Sequence, residues 1–118
     1  MPPPATKIAR FEIWWLQLPH QDGHHQTGRR PGVVVADEPD NRFCIIAPVT
    51  TNLDRRRFKC THVVEPSPEN GLEERSVVLG FQIRYLDRNR LVERIGRLAA
   101  NDQAVLDGLL ADLLGFDG

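Results

Sequence analysis

A mainly β fold with one helix, a small β-barrel or sandwich with a C-terminal helix, is what this sequence predicts. Three observations carry the prediction. Short apolar or β-branched runs recur along most of the chain, with turn-forming residues between them. A single leucine-spaced segment appears only at the end. The length of 118 residues, 41% hydrophobic and 26% charged, suits one globular core rather than two.

Residues 11–18 open the barrel. Phe11, Ile13 and Trp15 share one face at period two and Trp14, Leu16 and Leu18 the other, so the strand is expected to be buried on much of both faces. Residues 32–36, Gly-Val-Val-Val-Ala, form a continuous β-branched run between Pro31 and the turn Asp37-Glu38-Pro39-Asp40, again a strand covered on both sides. Residues 43–50 form a third strand, in which Pro48 marks a bulge or edge near the end. Residues 60–65 and 76–82 add two more, separated by Pro66-Ser67-Pro68-Glu69-Asn70-Gly71.

Residues 90–98 alternate loosely and are read as a last strand. Leu106, Leu109, Leu110, Leu113 and Leu114 then fall on one face of a helix that packs on the barrel. Asn101 is the expected cap, Asp102 sits in the first turn where the helix dipole favours an anion, and Gly115 ends the helix. The prolines of residues 1–10 read as a flexible N-terminal tail, which leaves 11–118 as the barrel domain.

Fifteen basic and sixteen acidic residues leave a net charge of −1, so composition alone gives no reason to expect a nucleic acid. The charges are nevertheless segregated. Residues 84–97 hold five arginines against Asp87 and Glu93, and beyond Leu98 every charged residue is an aspartate. A near-neutral chain can therefore still present a basic face. Cys44 and Cys60 lack metal-ligand spacing and lie in or beside apolar runs, as buried thiols of a reducing compartment do. No apolar stretch reaches membrane length and no signal-peptide core occurs, so a cytoplasmic protein with no membrane partner is expected.

The segment 20–31 is longer than an ordinary hairpin loop and carries His20, His24, His25, Gln26, Thr27, Arg29 and Arg30. Histidine can take up and release a proton near neutral pH, and arginine offers a planar fork for phosphate oxygens. These are the ingredients of RNA transesterification: a base for the 2'-hydroxyl, an acid for the leaving 5'-oxygen, and positive charge for the phosphorane. The same composition also suits a solvated loop or, less well, a metal site, since His24 and His25 are adjacent rather than at helical ligand spacing.

Several segments together resemble the MazF/PemK toxins. They are residues 12–18, then Gly23-His24-His25-Gln26-Thr27-Gly28-Arg29-Arg30-Pro31 running into Val33-Val34-Val35, Ala47-Pro48-Val49-Thr50-Thr51, Ser76-Val77-Val78-Leu79, residues 82–87, and Ile95-Gly96-Arg97-Leu98 before the terminal helix. They cover nearly the whole chain in the family's order. The resemblance implies an SH3-like small β-barrel with a C-terminal helix, and a metal-independent, cofactor-free endoribonuclease that cuts single-stranded RNA at short sequences, acts as a homodimer and is inhibited by a cognate antitoxin. It assigns Arg30 and Thr50 to catalysis and makes His24 a candidate acid or base. His25 and Phe81 depart from the family, which often has carboxylates there, and this leaves His24 or His25 as substitutes for the general base.

Around that centre, His25, Gln26, Arg29 and Thr51 are candidate RNA contacts. Arg55, Arg56 and Arg57, with Phe58 and Lys59 beside them, form a basic segment that either tracks phosphates or is simply a solvated loop. Arg84 could reach the same groove or pair with Asp87. Of the only two tryptophans, one of Trp14 and Trp15 is expected in the core, while His62 reads as structural. The rival reading is a CcdB-type toxin, which shares this barrel but poisons DNA gyrase by binding; it has no need of Arg30 and Thr50 together.

Overall fold

The structure, a computed structural model, describes residues 7–18, 29–38, 40 and 42–116. Among these, seven strands precede one α-helix: β1 (Glu12–Gln17), β2 (Arg29–Glu38), β3 (Phe43–Thr50), β4 (Thr61–Val64), β5 (Ser76–Leu79), β6 (Arg84–Asp87), β7 (Leu91–Arg97) and α1 (Ala100–Leu114). Every pairing is antiparallel, in the order β4-β5-β3-β2-β1-β7, with β6 also beside β3. The antiparallel sheet of seven strands with one C-terminal helix is the small barrel-like fold expected.

The strands read as buried on both faces are so because the sheet separates two apolar clusters. Ile13, Val33, Ala47, Val49, Val78 and Leu98 face one, which α1 covers with Leu106 and Leu110. Trp14, Leu16, Val34, Ile46, Leu86 and Leu91 face the other. Successive residues of β1, β2 and β3 thus alternate between two cores, which is why their sequences are apolar almost throughout. Pro48 lies where β3 changes partner: on one edge β3 pairs with β6 through Ile46 and with β5 from Val49. A residue with no N–H to donate is tolerated at such a changeover.

Several expectations are corrected. The helix begins earlier than the capping argument placed it: its N-cap is Ala99, with no side-chain cap, and Asn101 already lies in the first turn. Leu98 causes this, being fully buried with its amide bonded to the Phe11 carbonyl at 3.0 Å, so the chain turns into the helix as soon as it leaves β7. Gly115 does close the helix in the left-handed conformation, at φ 82°. The packed leucine stripe stops at Leu110, and Leu113 and Leu114 are exposed. Within the segment read as a tail, Ile8 is buried in the second core and Arg10 bonds to Asp107 of α1, so the folded unit extends before residue 11.

Two polar ties lock the layers. His62 of β4 meets Asp102 of α1 at 2.7 Å, the structural role read for that histidine. Arg88, in the 3-10 turn Arg88–Arg90, reaches back to Asp37 of β2 with Nε and Nη2 at 2.9 and 3.4 Å from its two carboxylate oxygens. No helix among the described residues is long and apolar enough to cross a membrane.

Candidate active site

β2 starts at Arg29, directly between β1 and β3. Its register against β1 pairs Leu16 with Arg30 and Trp15 with Pro31, and against β3 it pairs Gly32 with Pro48. Arg30 and Thr50 each lie two residues beyond the Gly32–Pro48 pair that ends the β2–β3 ladder. The two side chains, with Pro31, Val49, Thr51 and Ser76, line one pocket of about 150 Å³. The structure therefore brings together the two residues that the sequence placed 20 positions apart.

Thr50 is held by its neighbours. Its backbone pairs with Val77 of β5, and its Oγ1 accepts the Asn52 amide at 3.1 Å. A hydroxyl that accepts an amide proton keeps its own proton to donate. Arg30 is exposed at the start of β2, where its guanidinium can meet a solvent-borne anion. An anion entering this pocket meets a fixed cation and a hydroxyl donor, the combination that stabilises a phosphorane.

A second cleft of about 230 Å³ adjoins the first, sharing Pro31, Thr51 and Ser76 with it. Trp15, Leu72 and Ile95 form its apolar walls, and Glu73 and Glu74 also line it. Trp14 is the core tryptophan, and Trp15 is the one left partly open. Arg29 turns towards Trp15 and Glu93: its guanidinium lies 5.5 Å over the indole and 2.9 Å from the carboxylate.

The remaining candidates are spread more widely. Arg55, Arg56 and Arg57 sit exposed on the 3-10 helix Leu53–Arg57, which Asn52 caps through its side chain, and they follow Thr50 without lining the pocket. Arg55 and Arg57 lie over the ring of Phe58, which in turn packs against Phe81 at 5.4 Å. Phe81 thus anchors the basic segment. Arg84 lies within β6 rather than after a strand, opposite Ile46, and it lines neither cleft. Asp87 spends its carboxylate on the amide of Asn89. His24, His25 and Gln26 lie outside the described residues.

Ser76, Glu73 and Glu74 escaped the sequence reading. Ser76 is buried and donates to the Glu74 carbonyl at 2.8 Å, a bond with no sequence signature, and the two glutamates belong to no motif. Among the described residues no group of three or more His, Cys, Asp or Glu side chains is placed to hold a metal. Both thiols are buried or partly buried: Cys44 donates to the Leu86 carbonyl and Cys60 to that of Leu109, each at 3.6 Å.

Known proteins share this fold. The chain is 29% identical to the endoribonuclease MazF of Staphylococcus epidermidis over 113 residues, 93% of each chain. The MazE–MazF structure from Deinococcus radiodurans superposes with a TM-score of 0.69 at 29% identity, covering 92% of this chain and 96% of that one. At 18% identity, an endoribonuclease in complex with its cognate antitoxin from a mycobacterial species shares the fold, with a TM-score of 0.72 over 95% and 99% of the two chains. The model of the PemK-like, MazF-like toxins of type II toxin–antitoxin systems matches residues 9–114, and the chain belongs to that family.

Proposed function

We propose that this toxin is an endoribonuclease that cuts single-stranded RNA at short sequences, without a metal, by attack of the 2'-hydroxyl on the adjacent phosphorus. The observation that carries the reading is the shared pocket of Arg30 and Thr50. The scissile phosphate enters that pocket. Arg30 compensates the charge that grows on the non-bridging oxygens as the phosphorane forms, and Thr50 donates its hydroxyl proton to one of them. As the 2'-oxygen bonds to phosphorus, its proton passes to a base and the 5'-oxygen leaves with a proton from an acid. His24 and His25 are the sequence's candidates for those carriers. The products are a 2',3'-cyclic phosphate, or the 3'-phosphate from its hydrolysis, and a 5'-hydroxyl.

The basic segment 55–57 extends the positive surface beyond Thr50 and supports contacts to flanking phosphates. Its relatives' complexes support a cognate antitoxin as partner, and the family resemblance supports a cytoplasmic homodimer. The test is incubation of the purified protein with single-stranded RNA in the presence of a chelator, with mapping of the new ends. Cleavage leaving 5'-hydroxyl ends is expected. Intact RNA combined with inhibition of DNA gyrase overturns the reading in favour of a binding poison.

A further inference from the structure

We infer that the cleft beside the Arg30–Thr50 pocket is a nucleobase pocket that selects bases carrying an amino group, with Trp15 as its stacking wall and Glu73 and Glu74 as its selecting acceptors. The inference rests on the phosphate site proposed above and assigns its neighbour.

The two cavities adjoin, sharing Pro31, Thr51 and Ser76 in their linings. Arg30 and Thr50 line one, and Glu73 and Glu74 line the other. A nucleotide has the same polarity, an anionic phosphate joined to a neutral, flat base. Two carboxylates repel a phosphate, so the backbone is confined to the arginine end and only a base edge can face the glutamates. The walls between fit that base. An indole, a proline ring, Leu72 and Ile95 offer apolar surface for the faces of an aromatic ring. Ionised carboxylates accept hydrogen bonds but cannot donate them. They match the amino group of cytosine or adenine and the donor edge of guanine, whereas uracil offers a single N–H flanked by two carbonyls that the carboxylates repel.

The loop that carries the glutamates is built to hold them in place. Asn70 is 2% exposed, and its side chain makes three bonds: Nδ2 to the Glu65 carbonyl at 2.9 Å, and Oδ1 from the amides of Ser67 and Leu72 at 3.0 and 2.9 Å. Its own amide is bonded to the Ser67 hydroxyl. Gly71 adopts φ +69°, and a Cβ there would lie 2.5 Å from the Ile95 carbonyl, so the loop sits directly on β7. The Arg97 amide reaches the Glu69 carbonyl at 3.0 Å from the other side. Downstream, the buried Ser76 hydroxyl fixes the Glu74 carbonyl. Arg75 is drawn off to Glu65 at 2.8 Å rather than neutralising its neighbours. A fully satisfied buried network in a surface turn fixes the backbone on either side of it, and here that backbone carries Glu73 and Glu74.

The test sequences the ends produced from a randomised single-stranded RNA by the wild-type protein and by E73Q/E74Q. At one position beside the cut, the wild-type protein is expected to favour adenine, cytosine or guanine over uracil by about tenfold, and the double variant to reduce that preference to about threefold or less. Trp15→Leu is expected to raise KM by about tenfold with a smaller change in kcat, as loss of a stacking wall does. Base preferences that are identical in the wild-type protein and E73Q/E74Q overturn the inference. If the wild-type protein cuts no RNA, the function proposed above fails, and the pocket is still tested by Trp15 fluorescence in a W14F background. Quenching by AMP and CMP but not UMP supports it; an equal response to all, or none, overturns it.

Discussion

Arg30 of β2 and Thr50 of β3 line the same small pocket, each two residues beyond the Gly32–Pro48 pair that ends the β2–β3 ladder. Arg30→Ala is expected to lower RNA cleavage by about 100-fold or more, since it removes the charge that meets the phosphorane. Thr50→Val, nearly isosteric, is expected to lower kcat with little change in KM. Circular dichroism should show both variants folded; cleavage at the wild-type rate by the Arg30 variant would sink the assignment.

Burial pushes the Cys44 thiol from the usual 9.0 up to about 12, with Asp37 and Asp87 adding to the rise and Arg88 opposing it. The thiol should therefore be unreactive towards iodoacetamide at pH 8 until the protein is unfolded. Because the folded thiol titrates above the unfolded one, its contribution to stability is complete below pH 9 and is lost as the pH rises from about 9 towards 12. Urea melts of the wild-type protein and Cys44→Ala across that range check this. Only the wild-type protein should show the additional alkaline loss.

Asp37 and Arg88 form an ion pair whose side chains are 12% and 5% exposed. Asp37→Ala removes the carboxylate from the buried guanidinium and is expected to cost about 3–5 kcal/mol. Replacing both partners by apolar residues of similar volume should cost much less. Equilibrium denaturation of the single and double variants measures the difference, and equal losses would contradict it.

His62 and Asp102 join α1 to β4 at 2.7 Å. Asp102→Ala removes both that bond and the only acidic residue in the helix's first turn, and is expected to cost about 1–2 kcal/mol. Hydrogen exchange should show faster opening of residues 100–104 in the variant. Unchanged protection there would mean that Leu106 and Leu110 alone hold the helix.

Asn70→Ala leaves the Ser67 and Leu72 amides and the Glu65 carbonyl without their shared partner. A loss of about 2–3 kcal/mol is expected. Cleavage by the folded fraction should lose base preference together with E73Q/E74Q, a coupling that a double-mutant cycle reads directly.

The strands that alternate between two cores were legible because most residues of 13–16, 33–35 and 46–49 face one apolar environment or the other. β6 was not legible as a strand. Arg84–Asp87 lacks the β-branched run that marks β4 and β5, and it becomes a strand only through the open edge of β3. The helix stripe showed its spacing but not its extent, since only contact with the sheet could decide that burial stops at Leu110.

The site divides in the same way. The chain's sequence made the loop's histidines and arginines candidates for phosphate chemistry, and its resemblance to the MazF/PemK toxins singled out Arg30, before a proline and a β-branched run, and Thr50, at the end of Ala47-Pro48-Val49. Side-chain type sets what a residue can donate or neutralise. The tertiary structure alone decided that these two share a pocket, that Arg29 turns to Trp15 and Glu93, and that Glu73 and Glu74 line the adjoining cleft. Strand register made the first of those choices through contacts between residues distant in the chain, which no local pattern encodes, while a buried asparagine network within residues 65–72 fixes the loop that carries the glutamates.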